Sequence, residues 1–240
     1  MTATKTVTEK LLKKMPGGKV LDVATGKGNF AFTMEHCFTA CSLIVAVDTA
    51  ALSLISMVKE RKSRKITPSA MDGSLLAFQN NTFNTVAISN SLHHLKEPEI
   101  VLQEMKRTLA PGGYFIVTEM FCDGNQTSSQ HTHTLLHNWW AATDSENGTV
   151  HNPVFTQNEL RNFIKRVGLI DLEFYVSEDL SGDPFDSKLM EYLDITFKSY
   201  SRRGKGNNRL VKLGEEAMIH LKKHGFTNAR SLIAVGLNPG

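Results

Sequence analysis

The chain has 240 residues, with 27 Lys and Arg against 24 Asp and Glu, and 41% of its residues are hydrophobic. That length supports one substantial core, and the composition excludes both a disordered chain and a fibrous repeat. A net charge of +3 is too small to mark a polyanionic partner, so nucleic acid is disfavoured.

In chain order, Thr6-Val-Thr-Glu9 has the spacing of a capping box and opens a short helix through Lys14, since hydroxyl and carboxylate can each satisfy an orphan N–H. Pro16-Gly17-Gly18 stops it. Lys19 to Ala24 is predicted as a strand, Leu43 to Asp48 as a second, Ala51 to Lys62 as a helix and Lys65 to Asp72 as a weaker strand. Phe83 to Ser89 is a clear strand, and Pro98 opens a helix to Ala110 with Ile100, Leu102, Met105 and Leu109 on its apolar face. Pro111-Gly112-Gly113 then turns the chain into Tyr114-Phe-Ile-Val117. This alternation calls for a parallel sheet with helices on both faces. Residues 122–152 are polar, rich in Asn, Thr, Ser and His, and carry the pair Trp139-Trp140. A second capping box, Thr156 to Glu159, opens a helix ending near Gly168, and Leu169 to Val176 and Ser231 to Leu237 are the last two strands. Between them lies a mostly helical stretch, acidic first (Glu178, Asp179, Asp183, Asp186, Glu191, Asp194) and then basic (Lys198, Arg202, Arg203, Lys205, Arg209, Lys212).

The expectation is therefore one α/β domain over 1–240. It has a core at 18–120, a His- and Trp-rich lid at 121–155, and sheet completion at 156–240 with an insertion at 178–228. The longest apolar-looking run, Cys41 to Val58, is interrupted by Asp48 and hydroxyl residues, so no membrane span is expected. No apolar segment with a small-residue cleavage site opens the chain, and three Cys suggest a reducing compartment without disulfides. These readings point to the cytoplasm. Cys37 and Cys41 read as buried thiols, because no second Cys pair accompanies them to hold zinc.

The strongest chemical signal is Val20-Leu-Asp-Val-Ala-Thr-Gly-Lys-Gly-Asn-Phe30, a strand running into a glycine turn that lets a ligand approach the backbone. Gly26-x-Gly28-x-x-Ala31 with Asp48 about twenty residues on formally satisfies the dinucleotide fingerprint. Asp22 inside the first strand argues otherwise, because a dinucleotide loop needs no such charge. Met71-Asp72-Gly73-Ser74 follows the third strand, where a carboxylate can accept from an exocyclic amine.

Leu21-Asp-Val-Ala-Thr-Gly-Lys-Gly28, Val45-Ala-Val-Asp48, Met71-Asp72, Phe83-Asn-Thr-Val86 and Ser91-Leu-His-His-Leu95, in that order, resemble the class I S-adenosylmethionine-dependent methyltransferases, in particular the small-molecule group that includes the ubiquinone/menaquinone-biosynthesis type. The resemblance covers roughly residues 18 to 120 and extends more weakly through the last strand. It implies a Rossmann-like, doubly wound, mostly parallel seven-stranded sheet in the order 3-2-1-4-5-7-6, with a ligand crevice between strands one and four. It implies S-adenosyl-L-methionine as cofactor, with Gly26 and Gly28 flanking the methionine moiety and Asp22, Ala24, Thr49 and Gly73 also among the cofactor-binding residues. Asp48 would accept from the ribose hydroxyls, Asp72 would bond the adenine amine, and Asn90 or Ser91 would lie beside the methionine end. Ser89-Asn-Ser91 departs from the Asn-Pro-Pro-Tyr-like motif of amino and nucleobase N-methyltransferases. The family's longer N-terminal helical cap is also missing, so another segment must close the site.

Methyl transfer from a sulfonium needs mainly alignment and exclusion of water, with a base only if the acceptor must lose a proton. The acceptor, expected to be a small molecule and anionic if the basic stretch Arg202 to Arg209 captures it, should lie near Asn90, His94, Glu119 and Phe121. His94, His133 and His137 are the candidate bases or orienting groups. On a helix His133 and His137 share one face. Packing, a base-and-orienter pair, and a metal joined by His131 with Glu119 or Asp123 are the three readings of that face; no metal is assigned. Trp139 and Trp140 read as anchors of the lid. Competing functions are methylation of RNA or protein, and binding of S-adenosylmethionine without turnover. The run Lys59, Arg61, Lys62, Arg64, Lys65 reads as a solvated surface, and oligomeric state is silent.

Overall fold

The computed structural model describes residues 6–60, 64–178 and 182–240; Arg61 and Lys62 of the first basic run and Asp179 of the acidic stretch lie outside them. Seven strands, β1 (Lys19–Val23), β2 (Leu43–Asp48), β3 (Ile66–Ala70), β4 (Phe83–Ser89), β5 (Leu109–Met120), β6 (Ile170–Ser177) and β7 (Ser231–Leu237), form one sheet in the order β3-β2-β1-β4-β5-β7-β6. β7 runs antiparallel to both β5 and β6, and the other pairings are parallel. This is the order expected from the sequence.

Strand alternation sends neighbouring side chains to opposite faces. Leu21, Val23, Val86, Ile88, Phe115 and Val117 pack under α4 (Pro98–Thr108) and α6 (Gln157–Lys165). On the other face Val20, Ile44, Ala46, Ala87 and Ile116 pack under α1 (Val7–Leu12), α2 (Asn29–Cys37) and α3 (Ala51–Glu60). The Thr6 and Thr156 capping boxes both form. Cys37 and Cys41 are buried in the second cluster.

One boundary differs. β5 begins at Leu109 instead of after Gly113, because Pro111-Gly112-Gly113 forms a bulge within the strand. Phe83 pairs with Leu109 and Thr85 already with Tyr114, so the extra residues bow out of register. Gly112 adopts φ 70°, and a Cβ at Gly113 would come within 2.8 Å of the Asn84 carbonyl oxygen.

The polar stretch after β5 folds as a 19-residue helix, α5 (Ser128–Glu146), capped by Thr127 and Gln130 in a third capping box. The insertion between β6 and β7 contains α7 (Ser187–Arg203) and α8 (Asn208–His224). Leu136 and Trp139 of α5 meet Leu193 of α7, Ala217 and Leu221 of α8, and Phe226 in one apolar cluster. The two lid candidates are therefore one packed unit. Trp139 is its anchor, 2% exposed, and Gly214 of α8 lets that indole approach: a Cβ there would lie 2.8 Å from the ring.

Gly214→Ala tests this packing. Helix propensity alone would favour Ala by about 1 kcal/mol, whereas forcing a methyl against a buried indole costs about 1–3 kcal/mol. The expected outcome is a net loss of stability, read as a lower urea midpoint with an unchanged slope; a raised midpoint would show that the indole yields freely.

Candidate active site

The carboxyl ends of β1 and β4 flank the point where the strand order reverses, and both end in left-handed backbone: Ala24 at φ 53° and Asn90 at φ 46°. Such conformations in non-glycine residues persist only where the surroundings impose them. Ser91 Oγ lies 2.8 Å from the Ser89 carbonyl and 3.1 Å from the Ala24 carbonyl, bridging the two strand ends. Asn90 N–H donates to the Thr118 carbonyl (2.8 Å), tying the same turn to β5.

The glycine loop is held by Asp48 from the next strand. Asp48 Oδ2 accepts from Gly26 N–H and Oδ1 from Ala50 N–H, both at 2.7 Å. Thr49 lies exposed beside it. Gly26 has φ 55°, and a Cβ built there would meet nothing within 4 Å, so the loop leaves an open recess at this residue. Gly28 differs, since a Cβ there would lie 2.4 Å from Met57 Sδ; its missing side chain serves packing against α3. Gly73 similarly makes room for Val23 and Val101.

Asp22 is 1% exposed. Its Oδ2 accepts from Thr25 Oγ1 at 2.5 Å, and Oδ1 has no hydrogen-bond partner. Burial, opposed by the Thr25 bond and reinforced by Asp48, pushes its carboxyl up to about 7. Asp72 is exposed, and the backbone and hydroxyl of Ser74, both donating to its Oδ1 at 2.8 Å, hold it below the usual carboxylate range. Met71 N–H donates to the Asp48 carbonyl, which places Asp72 beside the Asp48 end of the crevice. An open recess, an ionised acceptor at its rim and an unpartnered buried carboxyl oxygen fit the expected cofactor, with its hydroxyls, exocyclic amine and cationic ammonium.

On the other side of Asn90 a cavity of about 430 Å³ is lined by His93, His94, Met120, His133, His137 and Ala229, among others. A larger one of about 620 Å³ lies between α1 and β6–β7, away from every motif. Three elements bring the histidines together. His93 and His94 sit on a single 3-10 turn, Leu92–His94, directly after the β4 crevice loop. His133 and His137 stand one turn apart on α5. His151 arrives on the loop after α5, held because Asn152 N–H donates to the His93 carbonyl (2.6 Å) and its side-chain amide to the Leu95 carbonyl (3.0 Å).

Each ring is oriented. His133 Nδ1 accepts from Ala229 N–H at 2.9 Å, which leaves the proton of neutral His133 on Nε2. Burial, then the nearby His93, pushes His133 down to about 4. His137 is pushed to about 2 by burial and then by the surrounding histidines. His94 falls to about 3, through lost hydration among the packed rings and then repulsion from His93 and His151. His151 Nδ1 lies 2.7 Å from Asp144 Oδ2, and burial outweighs that bond, keeping His151 below its ordinary value. Burial works to raise Asp144, but bonds from His151, Arg203 (2.6 Å) and Tyr200 (3.1 Å) outweigh it and hold it low.

Several expectations require correction. Glu119 does not line the histidine cavity: it accepts from Leu92 N–H (2.7 Å) and Met120 N–H (3.0 Å) and binds His93 Nδ1 (3.0 Å). Phe121 is fully buried core. His131 turns toward His220 of α8, and Asp123 accepts from Gln157 N–H at the start of α6, so neither joins the histidine face. From the basic stretch, Arg203 pairs with Asp144, and among the described residues no Lys or Arg lines the cavity, so that stretch places no cation there. His151 went unread, because a lone histidine in a polar loop carries no spacing signal.

Sheet order, reversed β7 and a glycine loop at the β1/β4 crossover define the class I methyltransferase architecture. The chain belongs to the methyltransferase-domain family, whose model matches residues 3–173. It is 35% identical over 105 residues to the demethylmenaquinone methyltransferase of Renibacterium salmoninarum, covering 44% of this chain and 42% of that protein. The chain thus matches less than half the length of that curated relative. In structure it resembles the [4+2]-cyclase SpnF (TM-score 0.64, 18% identity, 97% of this chain and 80% of that one). It also resembles Haemonchus contortus phosphoethanolamine N-methyltransferase 2, solved with phosphomonomethylethanolamine and S-adenosylhomocysteine (TM-score 0.58, 18% identity, 97% and 53%). No helix among the described residues is long and apolar enough to cross a membrane.

Asp22 supplies a test with a definite sign. Its carboxyl titrates near 7 when folded and near 4 when unfolded, so the unfolded chain loses its proton first and stability falls as pH rises between them. Asp22→Asn is expected to gain on the wild type by roughly 1.4 kcal/mol per pH unit across that window, levelling off above it. Urea midpoints of both proteins at pH 5 and pH 8 check this; a constant difference would refute it.

Proposed function

We propose that this chain transfers the methyl group of S-adenosyl-L-methionine to a small-molecule acceptor held in the histidine-lined cavity. The observation that supports the reading is the unobstructed backbone at Gly26, clasped by Asp48, with the β1 end tied by Ser91 to the β4 turn whose Asn90 lines that cavity. The cofactor, when bound, supplies an activated methyl on a sulfonium, displaced in line by the acceptor.

The protein's part is placement. Asp48 spends one lone pair of each oxygen on the loop and retains others for ribose hydroxyls. Asp72, ionised and exposed, is suited to accept from an amine. The unpartnered Asp22 oxygen lies where a cationic group would find it. His133, with its proton on Nε2, is a donor that orients an acceptor oxygen or nitrogen, and its low basicity keeps it neutral. Aligning two reactants in such a pocket is worth about 7–11 kcal/mol of barrier. α5 puts His133 and His137 in the cavity wall, and α7 and α8 pack behind that helix. The demethylmenaquinone methyltransferase relative favours a small acceptor, whereas methylation of RNA or protein would want cations around the cavity, and among the described residues its lining has none.

Calorimetric titration with S-adenosylmethionine is the direct test. Wild type should bind at micromolar concentration, and Asp48→Ala and Gly26→Val should each weaken binding at least about tenfold, ~1.4 kcal/mol. Absence of wild-type binding, or an Asp48→Ala variant that binds equally well, would end this reading. Tight binding with no radiolabelled methyl passing to any low-mass fraction of an extract would instead favour a cofactor-binding protein of other chemistry, as the fold shared with a cyclase illustrates.

A further inference from the structure

We propose that His93, His137 and His151 form a zinc site in the wall of the acceptor cavity, with one coordination position left for the acceptor. One ring nitrogen from each of the three lies within 4.8 Å of the other two, and all three residues are buried. The Nε2 atoms of His137 and His151 are 3.3 Å apart. Two nitrogens at 2.0–2.1 Å from a tetrahedral zinc ion stand roughly 3.3–3.4 Å apart, so this pair is already at ligand spacing.

The outer groups support the same assignment. His93 Nδ1 is held by buried Glu119 and His151 Nδ1 by Asp144, which is itself fixed by Arg203 and Tyr200. Carboxylates on the far nitrogens set the tautomer, turn Nε2 inward and make it a better ligand. Without an ion, packing these rings together is hard to satisfy. If His151 donates from Nδ1 to Asp144, its Nε2 can only accept, and His137 must give up its single proton to that contact; an ion between the two nitrogens takes both lone pairs instead. Three neutral imidazoles and no thiolate or extra carboxylate make the donor set of a catalytic zinc ion, not of calcium or magnesium. His94 packs on the His93 and His151 rings and His133 on His137, and both line the cavity.

The metal site stands on geometry alone; its role rests on the methyl-transfer reading. The acceptor class it selects is a thiol or hydroxyl compound that binds as its anion. Coordination lowers the acceptor's pKa and releases its proton to solvent. The acceptor lone pair then forms the new bond to carbon as the S–CH3 bond breaks and the sulfonium becomes a neutral thioether. The methylated product is a weaker ligand and leaves.

The test uses the full untagged chain, stripped with a chelator and titrated with Co²⁺ and then with Zn²⁺ against a chromophoric chelator. Wild type should take up one equivalent, with the intense visible bands of tetrahedral cobalt. His137→Ala and His151→Ala should weaken uptake by about a hundredfold or more, and Glu119→Gln by about ten- to a hundredfold. His131→Ala, which faces α8, should bind like wild type. S-adenosylmethionine titrations on the same samples report folding and separate failure of the metal site from failure of the cofactor reading. Wild type without stoichiometric cobalt, or His137→Ala and His151→Ala variants that bind it equally well, would overturn the site.

Discussion

The buried carboxylate of Glu119 is where the sheet and the histidine-lined cavity are joined. At 1% exposure it has no water to rely on, and such a group costs several kcal/mol unless it is fully paired. It is paired by the backbone of the turn that follows β4, by the His93 ring and by its own strand. That arrangement holds the 3-10 turn against the end of β5, which in turn fixes the direction of His93 and His94. The loop bearing His151 then docks on the same turn through Asn152. Loss of the Glu119 carboxylate would leave three donors facing apolar surroundings, so the position is constrained by desolvation as much as by geometry.

The crevice and the cavity are built on different principles. On the cofactor side the backbone does most of the work: left-handed turns at Ala24 and Asn90, glycines where a Cβ would collide or obstruct, and one carboxylate spanning two loops. On the acceptor side the work is done by imidazole rings, stacked and crossed at centroid separations of 4.2–6.2 Å. Backbone devices are common to any ligand with the same phosphate-free nucleoside shape.

That division explains what could be read from the residues in order. The glycine loop, Asp48 and Asp72 are local in sequence: each is a short pattern at the end of a strand, the strand order followed from the family those patterns resemble, and the boundaries of β2, β4 and β7 fell where the apolar runs put them. The histidine cluster is not local. It joins residues 93, 137 and 151 across three elements, and only the i, i+4 spacing of His133 and His137 left a trace in the sequence. Glu119 and Phe121 were misplaced because position at a strand end does not say which way a side chain points, or whether a neighbouring N–H claims it. The union of the two insertions was equally hidden, since the contact of Trp139 with Gly214 spans most of the C-terminal half. Thr127 to Gln130 was the overlooked local clue, a capping box announcing α5 within a stretch that otherwise looked like a loop.

Arg203 illustrates how far the cavity reaches into the rest of the chain. It grips Asp144, Asp144 orients His151, and Tyr200 of the same helix supports that carboxylate from the side. The segment between β6 and β7 is thus no portable cassette. Grafting α7 and α8 from a relative would silently rotate an imidazole on a different insertion, so any recombination that aims to exchange acceptor preference has to carry α5, the His151 loop and α7 as one block.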